Sequence, residues 1–526
     1  MLYAEQPATL AAAPPAEYEM RLSGAARLAL VLDLSRFVHP DDEHDFRHLR
    51  GSEGYANALR ALDPQPPFAV DERAAAVESG GYALRVFRSR LVHNHFFPTY
   101  KVGWGAEMRA RLQSEGCADI RSWQHCAARL RLTRNGLAVV TLERDLDNLP
   151  LIACVEQMLE LQAGAAGPTP RVQDQWWLGR TLLQALLDSL DRRIVVCQGA
   201  QTAVIRFTHQ PSGERPLHLD RYITYSLRGV RRSDSLVTPA ALKRDYAPLV
   251  AAFLEGSLLE HEGQRRLPSY DPDAARRLLD RDCSTWTDEL CLFTGESALI
   301  YRPLEGHSSA YIGGPLGLTS QAYTTYWNAV ERGIEHLVAF RSEAQQTERR
   351  TTDLLGKIPY LTRRVQDGQV TTAVASEIEH LAAGLSDIFD SLPDQRSQLV
   401  TANAFRADYV RQKFDLLLKE LEVPQTLEMV NTNVEQLDFF LSYYNDMRLQ
   451  WQGQKTNQLA LILTVVLLFL ALSSFLADTF TVFDSERSNR FYGPLTAPQW
   501  AMICFGLLTV SVILWQLWRI AQGRRK

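Results

Sequence analysis

The chain has 526 residues, more than one ordinary hydrophobic core accommodates, so two or three domains are expected. A net charge of −5 argues against a general nucleic-acid binder, whose surface is basic. The seven cysteines, Cys117, Cys126, Cys154, Cys197, Cys283, Cys291 and Cys504, include no CxxC pair. That scatter argues against a zinc ribbon or a disulfide framework and fits free thiols in a reducing compartment.

In chain order, residues 1–20 read as a disordered leader: Ala and Pro dominate, and neither a basic n-region nor an apolar h-region marks a signal peptide. Residues 21–165 form an expected N-terminal α/β domain and 166–318 a second one, divided by the Ala-Gly-Pro stretch 163–170. Strands are predicted over 27–34, 82–87, 194–207 and 223–227. Two hairpins are predicted, one over 130–142 turning at Arg134-Asn135-Gly136 and one over 289–301 turning at Gly295-Glu296. Apolar residues at helical spacing predict helices over 151–161, 177–190 and 239–255.

After residue 318 the pattern becomes helical, and 319–424 reads as a stalk. Its helices are expected to end at Pro359, Pro393 and Pro424, because proline lacks the amide that a helix interior uses. From 425 to 477 no strong breaker occurs, and one helix of about 80 Å is expected at 1.5 Å per residue. Val430, Val434, Leu437, Leu441 and Tyr444 recur every three or four residues, an apolar seam expected to pack on neighbouring copies.

Residues 456–477 and 500–518 are uncharged and apolar, each about the length that crosses a hydrocarbon layer, and predict two transmembrane helices. The loop 478–499 carries Asp478, Asp484 and Glu486, whereas Arg448, Lys455 and the basic tail 519–526 flank the spans. The positive-inside rule then puts both termini in the cytoplasm, in a bacterial inner membrane. A second stripe of the long helix joins Asp446, Gln450, Asn457, Thr464, Leu467, Ala471, Ser474 and Asp478. Polar groups in a span face a bundle interior or water, or their hydroxyls bond their own helix backbone; both readings are open for this stripe.

Lys455-Thr456-Asn457, followed by Leu463-Thr464, resembles the start of the first membrane helix of the CorA family of divalent-cation channels. The order of parts is similar too: α+β cytoplasmic region, helical stalk, long helix, short loop, second span, basic tail. The resemblance implies a homopentamer in the lipid bilayer, with the Asn457-to-Asp478 stripe lining one pore and Asp478 forming a carboxylate ring at its mouth. A divalent cation such as magnesium is the one cofactor it offers. The family's Gly-Met-Asn tripeptide is absent; Thr481-Val482-Phe483 stands where it should fall, so magnesium selectivity does not carry over.

His39, Asp41, Asp42, Glu43, His44 and His48 are the densest set of metal-ligand types, with His44 and His48 four apart on an expected helix. The plainer account is a solvated helix start with acids favoured by the helix dipole. Gly453-Gln454-Lys455-Thr456 echoes the end of a phosphate loop but lacks its upstream glycine. Charged runs such as Glu348-Arg349-Arg350 read as solvated helix faces. No catalytic constellation is present. Two functions are therefore expected: a homo-oligomeric cation channel gated by its cytoplasmic domain, or a membrane effector or sensor that binds a cytoplasmic ligand or protein.

Overall fold

The structure, a computed structural model, describes residues 19–71, 97–114, 126–163, 177–199, 201–212, 217–261, 264–303, 320–366, 372–399, 408–483, 490–492, 495–496, 503–504 and 511. The expected leader up to residue 18 and the expected strand at 82–87 lie outside them. Met1–Lys357 with Glu379–Glu435 forms one compact unit, and Ile358–Ile378 with Gln436–Lys526 forms another.

The chain opens with strand β1 (Met20–Asp33), helices α1 (Glu43–Leu49) and α2 (Glu53–Arg60), and strands β2 (Phe68–Val70) and β3 (Thr99–Val102). Helix α3 (Ala106–Ser114) precedes β4 (Cys126–Leu132), β5 (Leu137–Pro150), α4 (Leu151–Ala163) and α5 (Trp177–Ser189). Next come β6 (Arg193–Gln198), β7 (Gln201–Arg206), β8 (His218–Arg232), β9 (Ser235–Leu236), α6 (Pro239–Asp245) and α7 (Ala247–Glu255). A small hairpin, β10 (Leu259–His261) with β11 (Gln264–Arg266), leads to α8 (Pro272–Leu279), β12 (Leu290–Phe293) and β13 (Ser297–Tyr301). Helices α9 (Ser320–Gln366), α10 (Thr372–Leu399), α11 (Asp408–Glu420) and α12 (Val423–Phe483) follow.

Nine strands form one sheet in the order β12-β13-β8-β1-β5-β4-β3-β2, with β9 on the far end of β8. Only β13 against β8 is parallel among these pairings. Strand β1 is central, and Leu28 sits between Leu142 and Ile223. Both faces of β1 are covered, which is why it reads as a near-continuous apolar run rather than an alternation. Leu28, Leu30 and Leu32 join the core beneath α4, α5 and α7. Val31 joins the other core, with Val139, Tyr222, Val330, Ile334, Phe414 and Leu417.

This sheet runs across the expected boundary at 165/166, because β8 and β13 extend the sheet that β1 and β5 begin. Linker composition marks a break in the chain, but hydrogen bonding between distant strands overrides it. Pro359 does not end its helix but lies inside α9, and α10 likewise runs through Pro393 to Leu399. One lost amide costs such a helix less than its packed turns return. Leu361 and Val365, both in the helix beyond that proline, are fully buried.

Two transmembrane helices were expected, and that expectation is corrected: among the described residues no helix is long and apolar enough to cross a membrane. The run 456–477 is one stretch of α12, a helix that begins far upstream among charged residues such as Glu428, Glu435, Asp438 and Asp446. The run 500–518 lies almost wholly outside the described residues. A span needs about 20 residues of one helix that are apolar throughout, a combination of length and apolarity that no described helix meets. The membrane and transmembrane character inferred from those runs is withdrawn with the spans. Of the expected seam, Val430, Val434, Leu437 and Tyr444 are buried already in the single chain.

Candidate functional site

Strand alternation places every second residue of β1, β4, β5 and β8 on the sheet face that meets α9. Part of that face is apolar, through Val31, Val139 and Tyr222. The adjoining part is charged, through Arg27, Arg129, Arg131 and Glu143. On α9, Glu331, Glu335, Val338 and Ser342 recur at intervals of four, three and four, the period of one helix face, and all are buried. Two glutamates one turn apart are thereby laid against arginines of the sheet.

Glu331 pairs with Arg27 and accepts a 2.7 Å hydrogen bond from the Ser226 hydroxyl. Glu335 accepts one of 2.8 Å from Thr141 and lies 3.5 Å from Arg131. Glu143 sits between Arg27 at 3.2 Å and Arg129 at 2.7 Å. Arg129 in turn reaches Asp71 at 3.0 Å, which Lys101 also approaches at 3.2 Å. Burial pushes the Glu143 carboxyl up, but Arg27 and Arg129 outweigh it and hold it below its ordinary value. Charges alternate along this layer, so each ion has a partner where water is scarce.

Further along α9, Arg341 grips Asp220 through Nε at 2.6 Å and Nη2 at 2.7 Å, and bonds the Gly295 carbonyl. Burial raises the Asp220 carboxyl in spite of this guanidinium. Gln346 donates to Asp33 at 3.1 Å, and the Asn135 amide donates to Glu343. Between the β4–β5 turn and α9 lies a small recess of about 20 Å³, lined by Phe97, Arg131, Arg134, His336, Phe340 and Glu343 among others.

A second buried polar cluster serves structure. Lys413 on α11 donates to the Cys283 carbonyl at 2.9 Å and pairs with Glu289 at 3.3 Å. Burial pushes the Cys291 thiol well up, and Cys126 and Cys154 likewise to about 11 and about 12. Thiols held protonated at neutral pH are poor nucleophiles, so none of the three has the character of a catalytic cysteine.

The expected stripe on α12 is one exposed face: Asp446, Gln450, Asn457, Thr464, Leu467, Ala471 and Ser474 are all exposed. Thr464 donates to the Ala460 carbonyl of its own helix at 2.7 Å, the local alternative that hydroxyl helix residues have. The Asp478 side chain lies outside the description. In the expected metal cluster, Asp42 is taken up by Arg206, accepting from its Nε and Nη2 at 2.8 Å and from its backbone amide at 2.9 Å. That pairing holds the Asp42 carboxyl below its usual value. His39 Nδ1 accepts from the Asp41 amide at 3.4 Å, and the His44 and His48 rings meet edge-on at 4.4 Å. Among the described residues no group of three or more His, Cys, Asp or Glu is placed to hold a metal ion.

The sequence reading passed over Arg27, Glu143, Glu331 and Glu335. A faint signal existed in polar or charged residues placed two apart inside apolar strands, Arg129 with Arg131 and Thr141 with Glu143, and in Glu331 and Glu335 flanking Ile334. Compared with known proteins, the chain matches no protein-family model, no curated protein and no solved structure.

Proposed function

We propose that the chain is a self-associating sensor or effector without catalytic activity, in which the α/β part sets the state of the long helices. The observation that carries this reading is the ionic layer from Asp71 through Arg129, Glu143 and Arg27 to Glu331 on α9. Each buried ion is costly to leave unpaired, so α9 has two well-separated arrangements, docked with its partners or released, rather than a graded response. A ligand that competes for one arginine shifts the balance between them. The row Leu459, Leu463 and Leu467, exposed at four-residue spacing in an uncharged stretch of α12, favours a second copy of the chain as partner. Cation conduction, the other expected function, depends on membrane spans and is not carried forward.

The test removes charge from the helix side only. Glu331→Gln with Glu335→Gln in the full chain should speed amide exchange along α9 by about tenfold or more. Light scattering over a range of concentrations should show a changed distribution of masses. Faster exchange with an unchanged mass distribution would sink the sensor reading, since α9 would then report to nothing.

A further inference from the structure

We infer that the recess between the β4–β5 turn and α9 binds a small oxyanion of the phosphate class, which competes with Glu335 for Arg131. The inference rests on the sensor reading of the same junction and deepens it by naming a ligand chemistry. Two guanidiniums, Arg131 and Arg134, and the His336 imidazole converge on the recess against a single lining carboxylate, Glu343. The Asn135 amide already engages that carboxylate. Fork-shaped guanidinium donors match a tetrahedral oxyanion better than a point charge does. Arg131 is 2% exposed, so an anion reaching it is largely dehydrated.

The site is built before any ligand arrives. At the turn, the Thr133 amide donates to the Leu137 carbonyl at 2.8 Å, and the Gly136 amide to the Thr133 carbonyl at 3.1 Å. Leu137 donates to the Thr133 hydroxyl at 3.1 Å. The tip is tied down as well: the Gly51 amide donates to the Arg134 carbonyl at 3.0 Å, and the Arg134 guanidinium bonds the Gly51 carbonyl. Phe97 and Phe340 line the recess and limit what enters. An oxyanion here sits beside the 3.5 Å contact between Arg131 and Glu335. Drawing Arg131 toward it loosens the Arg131–Glu335 pair beside the Thr141 bond, which weakens the hold on α9.

Titration calorimetry on the full chain tests this with inorganic phosphate in one arm and glycerol 3-phosphate in the other. Wild type, Arg134→Gln and Glu343→Gln are compared, with thermal melts to confirm folding. The expected result is saturable binding to wild type, weakened about tenfold or more by Arg134→Gln. Glu343→Gln should bind more tightly, an improvement that damage to the fold does not produce. Binding of inorganic phosphate identifies the free anion as sufficient; binding of glycerol 3-phosphate alone identifies an ester as the source. No saturable heat in either arm, equal affinity in all three proteins, or weaker binding by Glu343→Gln overturns the inference. Phosphate binding with no change in the mass distribution leaves this site standing and removes the sensor reading. A mass change in the α9 variants without phosphate binding does the reverse.

Discussion

His218, at the start of β8, shows how one half-buried side chain couples the fold to pH. Burial, aided by the nearby Arg180 guanidinium, lowers its imidazole from its ordinary value to about 3. In the unfolded chain the same imidazole titrates near 6.5. Between these values the unfolded chain takes up a proton that the folded chain refuses. Stability therefore falls as pH drops from about 6.5 toward about 3, at roughly 1.4 kcal/mol per pH unit. Asp42 and Glu143, both held below their ordinary values, lose their contribution at lower pH, as it falls from the usual carboxylate range downward. Urea melts at pH 7, 6 and 5 should thus show a progressive loss that His218→Gln removes. An identical pH slope in that variant would show that the loss originates elsewhere. Nothing in the letters around residue 218 announced this, since it depends on Arg180, a residue of α5 distant in the chain, coming near.

Among elements, β1 is the most constrained. At Gly24 its register shifts against both neighbours, β5 and β8, and φ is +149°, a conformation that L side chains rarely adopt. A Cβ there would stand 2.2 Å from the Ser226 carbonyl oxygen and 2.8 Å from the Leu227 Cα, both backbone atoms that cannot swing away. Gly24→Ala is expected to cost at least about 2–3 kcal/mol, read as a lower urea midpoint at unchanged slope. A midpoint within error of wild type would mean that β8 can move off β1. The hairpins were legible at this scale because their turns are local: Arg134-Asn135-Gly136 joins β4 to β5, and Gly295-Glu296 falls between β12 and β13. Helix α5 was legible from its apolar spacing. The ends of α9 and α10 were not, because packing along a long helix outweighs a single proline. Glu331 and Glu335 were hidden for a related reason: a glutamate at helical spacing looks the same in sequence whether it faces water or an arginine.

At the scale of the whole molecule, the least legible feature was the sheet. Its neighbours come from segments far apart in the chain, and no residue pattern in β1 names β8 as a partner. The charged junction under α9 was lost with it, since Arg27, Glu143 and Ser226 become neighbours only through that pairing. The candidate site is thus a product of topology, whereas the α12 stripe was visible because one helix suffices to display it.

The central position of β1 also sets a timetable for biosynthesis. One flank of this apolar strand pairs with β5, but the other waits for β8, which ends at Arg232, roughly two hundred residues after β1 ends. At ~5–20 residues per second the open edge stands for about 10–40 s on the ribosome. During that interval Leu28, Leu30 and Leu32 belong to a strand with unpaired backbone groups, the kind of edge that recruits other chains. A chain cut after residue 212 should therefore aggregate when expressed alone. Supplying 217–303 in trans should return it to the supernatant, and a truncated chain that stays soluble without help would show that the edge is masked by other means. The nascent protein is, on this account, a client of whatever shields β-edges until its second half arrives.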